Sequence, residues 1–151
     1  MMSLRFHYYL LSCPQPVVSL EGRSVRPRPL IPVAVIGPAG GLARDALLDT
    51  GSDTVFPESW AASLGIDLTN APTGRASGVG LVSAPVRYAT VTLRLTDGIE
   101  RREWTAWVGF TRAPLRRPLL GFAGFLQFFT ATFHGDREEV ELAVNSLYRG
   151  T

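Results

Sequence analysis

Lysine is absent from this chain: all 15 basic side chains are arginine, a bias we read as one of coding rather than of function. The arginines are dispersed, apart from Arg101-Arg102 and Arg116-Arg117. A net charge of +2 spread this way gives no nucleic-acid footprint. Cysteine occurs once, as Cys13, which excludes an intrachain disulfide framework and a thiolate metal site. The two histidines, His7 and His134, have no serine, cysteine or acid pattern around them, so neither a catalytic triad nor a metal centre is indicated. No apolar run approaches the ~20 residues that a membrane helix needs. The apolar stretch in Met1 to Ser12 is short, interrupted by His7, and lacks a small-residue cleavage site, which argues against a secretory signal. The expectation is a soluble, cytoplasmic protein that needs neither metal nor organic cofactor and engages neither nucleic acid nor membrane.

What the chain does have is turn formers: Gly 15 and Pro 11 in 151 residues, scattered between short apolar runs. That pattern predicts one mostly-β domain. Strands are expected at Leu4 to Leu11, ended by Cys13-Pro14-Gln15-Pro16, at Leu30 to Ile36 and at Ala43 to Asp49. Further strands are expected at Val86 to Leu95, Arg102 to Phe110, Phe128 to Phe133 and Val140 to Val144. Arg23 to Pro29 is basic and proline-bearing, hence an irregular or edge segment. Asp97-Gly98 and Gly135-Asp136 read as hairpin turns. Pro57 to Gly65 reads as a brief helix with glycine at its C-terminal end. Phe122 to Gln127 reads as a second, with Phe122, Phe125 and Leu126 on one face. Trp104 and Trp107 fall on opposite faces of their strand. Residues 1–22 form an N-terminal extension, read as an added edge strand with a dimer arm or a pro-segment as alternatives, and residues 23–151 form the domain proper.

One segment carries chemistry. Asp49-Thr50-Gly51 is launched from the apolar run Ala46-Leu47-Leu48 and followed by Ser52-Asp53-Thr54-Val55-Phe56. It places a carboxylate at the end of a buried strand, in a tight turn lined with hydroxyls and a glycine. Alone, the tripeptide is also an ordinary Asp-Gly turn between strands; its surroundings decide the reading.

Ala46 to Phe56 resembles the active-site strand-turn-strand of the retropepsin-like aspartic proteases. Two further segments follow in that family's order. Ser77-Gly78-Val79-Gly80-Leu81 stands where the family carries a flap that closes over substrate. Leu119-Leu120-Gly121 resembles its second element, two apolar residues and a glycine packed beneath the catalytic loop. The resemblance covers roughly residues 30–144. It implies an all-β, retropepsin-like acid protease barrel with one or two short helices, active as a homodimer. It also implies peptide or protein substrates, with Asp49, Thr50 and Gly51 as the catalytic turn. Ser52 would bond an outer carboxylate oxygen of Asp49. Ser52, Asp53, Val55, Val79, Gly80, Leu81 and Leu119 would meet substrate. Retroviral members often place an arginine just after the second glycine; here Phe122 stands there, leaving Asp53 either to cap the following turn or to face substrate.

Hydrolysis by paired carboxylates needs two aspartates sharing one proton, because like charges that close cannot both ionise. The chain holds one Asp-Thr-Gly. Asp97 sits in a polar Thr-Asp-Gly without the leading apolar strand, and Asp45, Asp67 and Asp136 lack the context. The mechanism therefore requires a second copy of Asp49 from a homodimer. The rival reading is a peptide-binding or dimerisation module that keeps the fold and lacks turnover. A weaker third is a β-barrel binding protein in which the motif is coincidental.

Overall fold

The computed structural model describes residues 2–78 and 81–151. Twelve strands are defined among them. They are β1 (Leu4–His7), β2 (Tyr9–Val17), β3 (Arg23–Arg28), β4 (Leu30–Gly37), β5 (Gly40–Leu48), β6 (Val55–Pro57), β7 (Thr73–Gly78), β8 (Leu81–Thr96), β9 (Arg101–Thr111), β10 (Leu119–Leu120), β11 (Phe129–His134) and β12 (Glu139–Val144). One α-helix, α1 (Ser59–Leu64), completes the regular structure with 3-10 turns at Val18–Leu20 and Leu126–Phe128. The fold is all-β.

Seven strands make one sheet in the order β4-β5-β10-β6-β9-β8-β7. Because β4 also pairs with β8, through Ala34↔Arg94 to Ile36↔Thr92, six of them close into a barrel. Closure removes the free edges that an open sheet would expose. Alternation decides which side chains enter the barrel. On β9, Arg102, Trp104, Ala106, Val108 and Phe110 are buried, while Arg101, Thr105 and Trp107 face out. Trp104 and Trp107 thus lie on opposite faces, 4% and 52% exposed. Trp104 packs edge-on to Phe125, Phe129 and Tyr148, and its indole N–H donates to the carbonyl of Gly124 at 3.2 Å.

A second, three-stranded sheet, β1-β12-β11, joins residues near the two ends of the chain. Its β1 edge is tied to the barrel by Asp97. One oxygen of that carboxylate accepts the Arg5 backbone N–H (3.0 Å), the other those of Ile99 and Glu100 (2.9 and 2.8 Å). Burial opposes ionisation of Asp97, but the backbone donors of Glu100, Ile99 and Arg5 outweigh it and hold the carboxyl below its ordinary 3.8. A depressed folded-state value gives stabilisation that is complete above the ordinary value and is lost as pH falls through the folded one. Asp97→Asn is therefore expected to lower the melting temperature at neutral pH. Melts at falling pH should show the gap to wild type closing below about pH 4.

The structure revises three expectations. Leu4 to Leu11 is two strands, with a break at Tyr8, and β2 runs on through Pro14 and Pro16 to Val17. Those prolines are tolerated because the β2–β3 pairing shifts register between Ser12 and Val17, leaving no ladder bond for them to donate. Phe122 to Gln127 is not a helix. Gly124 adopts φ +88°, and the N–H groups of Leu126 and Gln127 reach back to Gly121 and Phe122 in wide turns. Phe122 and Phe125 consequently part company, the first 60% exposed and the second fully buried. The earlier helix forms as α1, closed by Gly65 at φ +73°.

Candidate active site

Asp49 follows the last residue of β5. The strand alternates, with Ala46 and Leu48 in the core, so its final step delivers the next residue to the barrel's end. Three backbone bonds fix that position: Leu47 N–H to Pro118 O (2.9 Å), Leu48 N–H to Pro29 O (3.0 Å) and Asp49 N–H to Leu120 O (3.0 Å). Strand β10 lies parallel to β5 (Leu119↔Leu47, Leu120↔Leu48) and antiparallel to β6 (Leu119↔Val55). The chain entering the Asp49 turn and the chain leaving it are thus held by one intervening strand.

Within the turn, Gly51 N–H donates to Asp49 Oδ1 at 2.9 Å. A Cβ on Gly51 would stand 3.4 Å from that oxygen, an ordinary contact. Asp49 is half-buried, and Thr50 and Gly51 are exposed. The exposed turn leaves the Thr50 hydroxyl free for a partner outside the protomer.

Beyond the turn the chain is stitched to the second motif by four hydrogen bonds. Phe122 N–H donates to Ser52 O (2.7 Å), Thr54 N–H to Ala123 O (3.1 Å), Gly121 N–H to Thr54 Oγ1 (3.2 Å) and Ala123 N–H to Asp53 Oδ1 (3.0 Å). Gly121 is the contact point. A Cβ there would fall 2.0 Å from Ser52 O and 2.5 Å from the Asp53 carbonyl carbon.

These bonds locate the other expected residues. Ser52 is buried, and its hydroxyl donates to Asp53 O at 2.9 Å rather than to the Asp49 carboxylate. Asp53 spends one oxygen on the Ala123 N–H of the second motif, seventy residues on, rather than on the turn that follows it in sequence. Val55 and Leu119 are 1% and 7% exposed, so in the protomer they form the floor of the site and present almost no surface. Val55 packs with Ala76 and Val86, flanked by Tyr88 and Leu115, in a small apolar cluster beneath the β7–β8 hairpin. That hairpin occupies the place expected for the flap. Val79 and Gly80 lie outside the described residues, and Leu81 is the first residue of β8.

Sequence reasoning missed Thr54 and Tyr88. Thr54 is 1% exposed, and its hydroxyl takes the Gly121 N–H; the signal was a hydroxyl at the head of the apolar Val55-Phe56. Tyr88 stacks on Trp107 with centroids 6.1 Å apart and planes 11° off parallel, and nothing in the pattern of β8 singled it out. Burial first, then the Asp53 charge, push the Tyr88 phenol above its ordinary value. No group of three or more His, Cys, Asp or Glu fit to hold a metal occurs among the described residues. A depression of about 400 Å³ lined by Trp104, Thr105, Phe128, Leu147 and Arg149 carries no carboxylate and shares no residue with the Asp49 turn.

No curated protein and no solved structure matches the chain. A profile of aspartyl proteases matches residues 31–123, more than half of it. The matched span opens in β4 and closes at Ala123, enclosing the Asp49 turn, the β7–β8 hairpin and the second motif with its stitching. The chain belongs to the aspartyl protease family.

Proposed function

We propose that this protein is an aspartic endopeptidase whose active site forms when two copies bring their Asp49 turns together on a two-fold axis. The observation that carries this reading is the half-site itself. A carboxylate fixed through its backbone by β10 sits in a turn whose outer residues, Thr50 and Gly51, are exposed, in a chain with a single Asp-Thr-Gly.

Two such carboxylates share one proton. The ionised one accepts a proton from a water held between them, and that water attacks the scissile carbonyl. The protonated one donates to the carbonyl oxygen, giving a tetrahedral diol. Collapse of the diol, with proton transfer to the leaving nitrogen, breaks the C–N bond. Thr50 serves the pair by bonding across the axis to the other turn. Ser52, Val55 and Leu119 act from beneath, holding the turn in place. Asp53, Val79, Gly80 and Leu81 provide the surface that meets an extended peptide.

The test is a peptide library or casein incubated from mildly acidic to neutral pH. Cleavage internal to the peptides, blocked by a statine-type inhibitor, is expected, with a bell-shaped pH profile. Cleavage indifferent to the inhibitor would contradict the mechanism, and no cleavage at any pH would favour the binding-module reading.

A further inference from the structure

We propose that the β2–β3 hairpin is an arm that clasps a second copy of this chain beside the catalytic turn. The inference rests on the dimeric site proposed above and adds the surface that builds it.

The hairpin is a two-stranded sheet of its own, separate from the barrel and from β1-β12-β11. Its strands pack chiefly on each other and on the turn at Val18–Leu20. Across residues 9–28 only Val17 is buried, while Tyr9, Leu10 and Val18 are 53%, 49% and 90% exposed. A two-stranded hairpin standing alone in water is marginal at best. Its hold on its own body is thin: Tyr8 N–H donates to Glu138 O, and Arg23 pairs with the Glu138 carboxylate at 2.8 Å. A surface ion pair of this kind contributes about 0–1 kcal/mol. An extended arm with apolar side chains in water is a structure waiting for a cover.

Where the arm is rooted identifies the cover. Strand β3 ends at Arg28, and the carbonyl of the next residue, Pro29, accepts the Leu48 N–H at 3.0 Å. Leu48 immediately precedes Asp49. The pairs Tyr9↔Arg28 and Leu10↔Pro27 place both exposed apolar residues at this root. A second copy seated at the Asp49 turn thus has Tyr9 and Leu10 beside the strand that delivers that turn. Pro14, Pro16 and Pro27 deprive the hairpin of donors for strand addition, so the contact uses its side-chain faces. The arm also lies wholly outside the span shared with other aspartyl proteases, which begins at residue 31.

The experiment compares the full chain with the triple variant Tyr9→Ser, Leu10→Ser, Val18→Ser by sedimentation equilibrium, with thermal melts to show that both fold. Wild type is expected to dimerise, and the variant to dimerise at least about tenfold more weakly, since a few central apolar residues carry most of an interface's energy. The variant's activity per chain should return at high protein concentration. A variant that dimerises like wild type would overturn the arm while leaving the Asp49 mechanism standing. Normal dimerisation with a raised KM would assign the arm to substrate and would equally overturn it. A wild-type chain that stays monomeric would sink both proposals.

Discussion

Asp49→Asn should abolish peptide hydrolysis while leaving the protein folded. The amide is nearly the same size, and its oxygen can still accept the Gly51 N–H that the carboxylate accepts at 2.9 Å. The backbone bonds from Leu47, Leu48 and Asp49 to Pro118, Pro29 and Leu120 do not involve the side chain. What is lost is the shared proton. An asparagine cannot take a proton from water, and two of them on the axis leave neither a base nor an acid. Proton transfer by a positioned group contributes about 10²–10⁴-fold to a rate, so kcat is expected to fall by roughly 10³-fold or more. The melting temperature should stay within a few degrees of wild type. Turnover that survives the substitution would remove Asp49 from the mechanism.

Gly121→Ala should have the largest effect on stability of any single methyl addition near the site. The new Cβ would occupy a point 2.0 Å from Ser52 O and 2.4 Å from the Ser52 carbonyl carbon. Both are backbone atoms, and the four bonds joining Ser52–Thr54 to Gly121–Ala123 keep them from withdrawing. Overpacking ordinarily costs about 1–3 kcal/mol, and more where nothing can yield. A loss of about 3 kcal/mol, or a fall of roughly 10 °C in Tm, is the expected result. Activity should fall with it, because the strain enters through the residues that hold the Asp49 turn. Gly135→Ala is the control: no atom lies within 4 Å of its Cβ. Its effect should remain within about 0.5 kcal/mol. Equal melts for the two variants would show that the stitching between the motifs is not what holds the turn.

The Asp49 turn was legible in the sequence because its demands are local. An apolar strand, an acid, a hydroxyl and a glycine must be consecutive for the backbone to fold back on the carboxylate. The long strands were legible for a similar reason, since alternation along Val86 to Leu95 and Arg102 to Phe110 is a property of adjacent residues. What escaped depended on residues far apart. The family resemblance implies a bond from Ser52 to the Asp49 carboxylate, but its burial against the second motif turns its hydroxyl to Asp53 O. Asp53 found its partner in a backbone N–H seventy positions on, which no spacing rule specifies. The family resemblance puts Val55 and Leu119 in the cleft. Their mutual pairing across β6 and β10 puts them in the floor instead. Phe122 to Gln127 had helical spacing, but Gly124 took a left-handed conformation. That conformation directs its carbonyl to the Trp104 indole. Pro14 and Pro16 suggested the end of a strand, and an arm with an irregular register tolerated them.

Subunit mixing shows whether one active site needs two copies of Asp49. Wild-type and Asp49→Asn chains are equilibrated together in varied ratios at fixed total concentration, and the cleavage rate is followed. If both carboxylates are required, activity falls as the square of the wild-type fraction, to about a quarter at equal amounts. A rate that falls in simple proportion, to about a half, would mean that each chain works alone and would contradict the account.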